Sequence, residues 1–178
     1  MFQAIVHTVP GLLSAEECQA EIDRAEALGF EEAPITTGAG FVRAPEVRNN
    51  TRVMRDDPAQ SALLWERVRA VVPEVPGWRA VGLNERFRLY RYEAGQYFKL
   101  HSDGSYRRPQ GGQASQLTFM VYLNEGFGGG ATRILDHSTI QPRTGMALLF
   151  AHQLLHESTA LRSGRKYVLR SDVMCVRA

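Results

Sequence analysis

The stretch that decides the fold is Arg88–Tyr106, RLYRYEAGQYFKLHSDGSY. Two segments dense in aromatic and aliphatic residues, 79–92 and 96–103, meet here across a glycine and run into His101-Ser102-Asp103. On a β-strand, residues i and i+2 point to the same face, so His101 and Asp103 can grip one ion together. An H-x-D pair with one distant histidine is the ligand set of a facial Fe(II) site with three coordination positions left open. His156 supplies that histidine, and Lys166 follows ten residues later. Chance alone often produces an H-x-D pair, so the ordered surroundings must carry the reading.

Working outward, further segments near 116–124, 131–135, 146–151, 155–160 and 166–176 are short, rich in β-branched and aromatic residues, and separated by Gly, Pro or Asn. Strands at this spacing predict a sandwich or barrel. Before Pro76-Gly77 the character differs. Phe2 to Val9 reads as a strand. Ser14-Ala15-Glu16-Glu17 is a capping box opening a helix to about Leu28, closed by Gly29, with Ala15, Cys18, Ile22, Ala25 and Leu28 on one face. Thr36 to Arg48 reads as a long loop or loose hairpin. Asp57-Pro58 starts a second helix, ended by Pro73, with Ala62, Leu63, Trp65, Val68 and Val71-Val72 as its buried stripe. The predicted fold is α+β but mainly β: a double-stranded β-helix, or cupin-like jelly roll, with N-terminal helices packed on its outside. It is expected to be one domain, with 1–78 as support and 79–178 as the jelly roll.

At 178 residues the chain can bury about 70% of its unfolded surface. A net charge of +2, without a basic run along a helical face, argues against nucleic acid. Lys99 and Lys166 are the only lysines among 21 basic residues. No stretch approaches a membrane span and no signal peptide is evident, so a cytoplasmic location without membrane partners is expected. Cys18 and Cys175 have neither metal nor redox spacing and read as reduced, buried thiols.

The second half carries an ordered series. Tyr92-x-x-Gly95-Gln96 precedes the H-x-D pair. Then come Tyr122-Leu123-Asn124, Gly129-Gly130-x-Thr132, the run Pro142-x-x-Gly145-x-x-Leu148-x-Phe150, His156-Glu157 and Gly164-x-Lys166-Tyr167. From Arg86 to Cys175 this resembles the Fe(II)/2-oxoglutarate-dependent dioxygenases of the prolyl 4-hydroxylase-like branch. The resemblance implies Fe(II), 2-oxoglutarate as cosubstrate, O2, and ascorbate as reductant. It implies His101, Asp103 and His156 as iron ligands and catalytic centre. It implies Lys166 as the cation for the distal carboxylate of 2-oxoglutarate, with Tyr122, Thr132 and Tyr92 around the same cosubstrate; Arg170 shares the Lys166 strand face, where either a place beside the cosubstrate or a salt bridge is open to it. A buried anion needs such a charge-assisted partner. The activity implied is hydroxylation of an unactivated C–H bond, releasing succinate and CO2. One departure is notable: a tyrosine commonly stands three residues before the first ligand, and here it is Phe98, beside Tyr97.

Alternatives stay open on the residues alone. His152 competes with His156, and is otherwise a supporting or structural residue. Arg165 competes with Lys166, since a one-residue slip in register swaps the faces. His7 and His137 read as structural. Arg48, Arg52, Arg107 and Arg108, on segments expected to flank the mouth, are candidates for a carboxylate or phosphate on a small-molecule or peptide substrate. The rivals are a metal-dependent jelly-roll enzyme that does not use 2-oxoglutarate, and a non-catalytic binding sandwich.

Overall fold

The computed structural model describes residues 5–38 and 40–178, so the Phe2–Ala4 part of the predicted first strand lies outside the described residues. The chain opens with β1 (Val6–Val9), α1 (Ala15–Leu28), β2 (Glu31–Glu32), β3 (Ile35–Thr37), β4 (Gly40–Val42), β5 (Thr51–Asp56) and α2 (Pro58–Val68). It continues through β6 (Trp78–Leu83), β7 (Arg86–Tyr92), β8 (Phe98–His101), β9 (Ala114–Tyr122), β10 (Gly128–Gly129), β11 (Thr132–Ile134) and β12 (Ser138–Ile140). It closes with β13 (Ala147–Ala151), β14 (His156–Ser158), β15 (Leu161–Ser163) and β16 (Lys166–Arg177).

The major sheet has the order β1-β13-β9-β16-β7-β5-β2, with β6 also paired to β16. The smaller sheet has the order β12-β11-β14-β8. Together they form the double-stranded β-helix that the strand spacing predicts. The central strands are buried on both faces, so each alternates between two cores. Phe87, Leu89, Leu117, Phe119, Val121, Leu149, Leu169 and Val173 pack with Cys18, Ile22 and Ala25 of α1 and Leu64 and Val68 of α2. Tyr90, Tyr92, Met120, Tyr122, Leu148, Phe150 and Val168 turn the other way and pack with Ile134 and Leu161. The helices therefore sit outside the major sheet and leave its inner face to the site. Among the described residues no helix is long and apolar enough to cross a membrane.

Local chemistry sets the helix ends. Ser14 and Glu17 form the capping box, and the Gly29 N–H caps the carbonyls of Ala25 and Glu26. Asp57 accepts from the Gln60 N–H, with Pro58 as the first helical residue. Several readings are corrected in detail. Of the expected α2 stripe, Val68 is buried and Trp65 and Val72 pack against the core, whereas Ala62, Leu63 and Val71 are exposed and Ser61 and Leu64 turn inward instead. Ser61 turns inward because its hydroxyl donates to the Leu83 carbonyl. On α1, Leu28 is exposed and Glu21 is buried, paired with Arg55. The segment 79–92 is two strands, broken at Asn84-Glu85, which pair successively along β16. The stretch expected as a long loop or loose hairpin carries the β3–β4 hairpin and then a turn in which the Val47 and Arg48 N–H groups donate to the Ala44 carbonyl. Cys18 and Cys175 are free and buried, as expected.

Gly145 accounts for one conspicuous motif position. It has φ +76°, and a side-chain carbon there would lie 2.0 Å from the Leu13 carbonyl oxygen. Leu13 also donates its N–H to the Gly145 carbonyl. Gly145→Ala is therefore expected to cost about 2–4 kcal/mol, combining left-handed strain with overpacking. Chemical denaturation should show the midpoint falling with an unchanged slope.

Candidate active site

Lys166, Val168, Arg170 and Asp172 of β16 form one row across the inner face of the major sheet. Register aligns Lys166 with Tyr92, Val168 with Tyr90 and Tyr122, and Arg170 with Arg88 and Met120. Across an open cavity of about 700 Å³, the smaller sheet contributes His101 and His156, which are cross-strand partners of β8 and β14. Asp103 lies two residues past the end of β8, and its backbone is held by its N–H donating to the His152 carbonyl at 2.9 Å.

His101, Asp103 and His156 offer ligand atoms that all lie within 4.8 Å of one another. The two imidazoles are oriented by the same device. Nδ1 of His101 is 2.7 Å from the Lys99 carbonyl, and Nδ1 of His156 is 2.9 Å from the Leu154 carbonyl. A carbonyl only accepts, so Nδ1 carries the proton and Nε2 keeps its lone pair for a metal. Burial, reinforced by His156, lowers the His101 pKa to about 4, and burial likewise lowers that of His156. Both rings are therefore neutral at pH 7, as coordination requires. Phe98 stacks on His101 with centroids 3.5 Å apart.

Burial opposes the charge of Asp103, yet Arg170 and His156 outweigh it and hold the carboxyl below the usual range. Arg170 reaches Asp103 at 3.1 Å and Asp172 at 3.2 Å. Burial opposes the guanidinium charge too, but those two carboxylates more than restore it. Thr118 donates its hydroxyl to Asp103. That hydroxyl is also 3.0 Å from Nδ1 of His152, whose Nε2 is 2.9 Å from the Ser115 hydroxyl. His152 thus stands behind the Asp103 carboxylate rather than among the converging donors. Two neutral imidazoles and one carboxylate form a donor set suited to Fe(II).

Lys166 is 1% exposed, and burial lowers its pKa to about 7. Its Nζ donates to the Gly130 carbonyl at 2.6 Å and to Ser158 at 2.9 Å, and lies over the Tyr92 and Tyr122 rings. No carboxylate pairs with it among the described residues. Tyr122 donates to Thr132 at 2.7 Å. Burial raises the pKa of Tyr92 to about 12 and raises that of Tyr122 as well, so both hydroxyls stay protonated. Arg165 points away, paired with Glu93 at 2.7 Å.

The arginine candidates separate. Arg48 and Arg52 line the cavity. Arg108 does not: Glu85 holds it at 2.6 Å, and Arg107, bridged to Ala114, is exposed outside it. Arg52 belongs to a strand of the major sheet, not to a loop. Arg170 faces Asp103 and Asp172, away from the Lys166 end. Tyr97 donates to the Pro45 carbonyl and does not replace the missing inward hydroxyl. Sequence reasoning missed Tyr90, Arg88, Thr118, Asp172 and Ser158. Alternation along a strand was the available signal, since Tyr90 and Arg88 share the Tyr92 face and Asp172 shares that of Lys166 and Arg170. His7 and His137 are not among the residues that line the cavity.

Residues 87–171 match the profile of the 2OG-Fe(II) oxygenase superfamily. No match was found among curated proteins. Among solved structures, the viral collagen prolyl hydroxylase of Paramecium Bursaria Chlorella virus-1, a 2OG complex, aligns with TM-score 0.65 and 20% identity, over 96% of each chain. A Pseudomonas putida prolyl-4-hydroxylase aligns with TM-score 0.65 and 18% identity, over 97% of this chain and 92% of that one. A Trichoplax adhaerens prolyl hydroxylase in complex with a hypoxia inducible factor oxygen degradation domain peptide fragment aligns with TM-score 0.71 and 14% identity, over 94% and 82%. At such identities these likenesses carry the fold, while the sequence profile and the His-Asp-His donors carry the chemistry. The chain thus matches the 2OG-Fe(II) oxygenase superfamily over residues 87–171, the stretch that holds His101, Asp103, His156 and Lys166.

Proposed function

We propose that the protein hydroxylates an unactivated C–H bond of an amino acid, peptide or small metabolite, with Fe(II) held by His101, Asp103 and His156. The observation that carries this reading is the buried, carboxylate-free ammonium of Lys166 lining the same cavity as the His-Asp-His cluster. A buried cation without an anion is costly, and the distal carboxylate of 2-oxoglutarate would satisfy it. Tyr92, Tyr122, Thr132 and Ser158 surround that position with protonated hydroxyls. When bound, Fe(II) and 2-oxoglutarate supply the oxidation, consuming O2 and yielding succinate and CO2 as one oxygen atom enters the substrate.

The chain's own residues bind and orient. Lys99 and Leu154 carbonyls fix the tautomers of His101 and His156. Arg170 and Thr118 keep Asp103 ionised and aimed, so of the two roles open to Arg170 on the Lys166 face it takes the salt bridge, acting on the metal ligand. Phe98, Met120 and Phe150 keep the cavity wall apolar, which strengthens the polar contacts inside it. A peptide substrate has support from the Trichoplax neighbour's peptide complex.

The test is succinate release by purified protein with Fe(II), ascorbate and 2-oxoglutarate across a substrate panel. Mn(II) plus 2-oxoglutarate should also raise the unfolding temperature, since ligands specific to the native state stabilise by about 2.7 kcal/mol at a hundred times Kd. Absence of both responses would sink the proposal. A response to metal with none to 2-oxoglutarate would favour the cosubstrate-independent rival.

A further inference from the structure

We infer that the substrate is a small acid whose carboxylate docks on Arg48 and Arg52, on the wall of the same cavity. This rests on the oxygenase reading above and narrows it.

Arg48 is only 6% exposed. Its Nε donates to Asn50 at 2.7 Å, and its guanidinium lies 4.5 Å over the Tyr90 ring and 4.3 Å over the Phe98 ring. Its Nη2 is buried without a hydrogen-bond partner. No acidic side chain pairs with it among the described residues. Arg52 stands opposite Tyr90 in the β5–β7 register, half-buried, with the Phe41 ring 5.7 Å away; its cross-strand neighbour Glu31 supports its charge from beyond salt-bridge range, and no acidic side chain among the described residues pairs with it. The other cavity arginines are already matched: Arg170 by Asp103 and Asp172, Arg88 by Asp172, and Arg86 by Asp56. Among the described residues, two guanidiniums lining the cavity therefore remain without a salt-bridge partner, and charged groups are rarely buried unless something pairs them.

The field is visible on a neighbouring group. Burial raises the pKa of the Tyr90 hydroxyl, yet Arg170, Arg48 and Arg88 overcome this and bring it below the ordinary tyrosine value. Lys166 lies elsewhere in the cavity, in the row containing Tyr92. Its ammonium lies over the Tyr92 and Tyr122 rings and the Arg48 guanidinium over those of Tyr90 and Phe98, so the cosubstrate's distal carboxylate falls to the lysine and the substrate's to the arginines.

Distance sets the size of the acid. Arg48 stacks on Phe98, and Phe98 stacks on His101, in centroid steps of 4.3 and 3.5 Å. The Arg48 guanidinium is thus no more than about 8 Å from the His101 ring, a span of roughly five or six bonds. That spacing fits an amino or short organic acid, whose carboxylate and reacting carbon are close in the same molecule. Phe41 and Ile35 of the β3–β4 hairpin also line this side of the cavity, offering an apolar wall to its hydrocarbon part.

The experiment is succinate release with Fe(II), ascorbate and 2-oxoglutarate, using the free L-amino acids and C3–C6 aliphatic acids. Each is paired with its primary amide, beside a set of end-blocked peptides. Turnover is expected among the acids, with each amide at least tenfold lower in kcat/KM. In Arg52→Gln the KM for the acid should rise at least tenfold and the acid-to-amide ratio should fall towards one, with the KM for 2-oxoglutarate unchanged. Arg48→Lys, which keeps the charge but loses the planar stack, should raise the same KM while binding Mn(II) and 2-oxoglutarate normally by thermal shift. Amides or blocked peptides matching the acids would overturn the inference. So would an unaltered ratio in Arg52→Gln, or a rise in the 2-oxoglutarate KM instead. If no acid is turned over while Mn(II) and 2-oxoglutarate still stabilise the fold, the acid is wrong and the oxygenase stands; loss of that stabilisation in the unaltered protein would remove the oxygenase reading itself.

Discussion

Asp103→Ala is expected to lower succinate formation by roughly a thousandfold or more, because it removes the one anionic donor from a three-residue metal set. The two imidazoles that remain are neutral, with the His101 pKa lowered to about 4 by burial and by His156. They offer the metal no charge to offset its desolvation in the cavity. Asp103→Asn is the sharper variant. Its amide keeps the volume and an acceptor for Thr118 and Arg170, and Arg170 retains Asp172 at 3.2 Å, so folding should survive. The amide oxygen carries no charge, and the stabilisation by Mn(II) should vanish with the activity. Turnover persisting in a folded Asp103→Asn protein would mean that the metal is held by other groups.

Much of this site was legible because it obeys strand periodicity. His101 and His156 sit opposite each other on neighbouring strands, and the ordered motifs around them left few other ways to bring Lys166 inward. The choice between Lys166 and Arg165 was a matter of register, which sequence leaves open; pairing of β16 with β7 and β9 decided it. What escaped notice did so for physical reasons. Strand β5 reads TRVMRD, and its cavity face is made of Arg52 and Met54, so it lacks the apolar alternation by which a strand is recognised. The same inversion hid Arg88 and Asp172, charged residues facing the interior of a sheet. Ser61 was passed over on α2 because a serine becomes an inward residue only when an acceptor such as the Leu83 carbonyl waits for it. His152 and His156 are both buried, the first just past the end of β13 and the second at the start of β14. Their difference lies in partners: Thr118 and Ser115 occupy the ring nitrogens of His152, whereas one nitrogen of His156 is left facing Asp103.

Lys166→Met is expected to act in two opposite directions. Without ligands it should stabilise the protein at pH 7 by roughly 1–3 kcal/mol, because a hydrophobic side chain replaces a buried cation that lacks an anion. The pH dependence identifies the cause. The folded pKa, lowered to about 7 by burial, lies beneath the ordinary 10.5, so between these values the unfolded chain binds a proton that the folded one sheds. Stability from this group is therefore lowest below pH 7 and rises towards pH 10.5, and the variant should lose that rise. With 2-oxoglutarate the sign reverses. The arriving carboxylate gives the ammonium its missing partner, and losing that charge-assisted contact should weaken the cosubstrate by about 3 kcal/mol, or roughly a hundredfold in Kd. Thermal unfolding across pH 6–10, with and without Mn(II) and 2-oxoglutarate, reads both effects from one series. A variant stabilised by 2-oxoglutarate as strongly as the unaltered protein would show that the distal carboxylate is held elsewhere, and the unpaired guanidinium of Arg48 would be the next cation to remove.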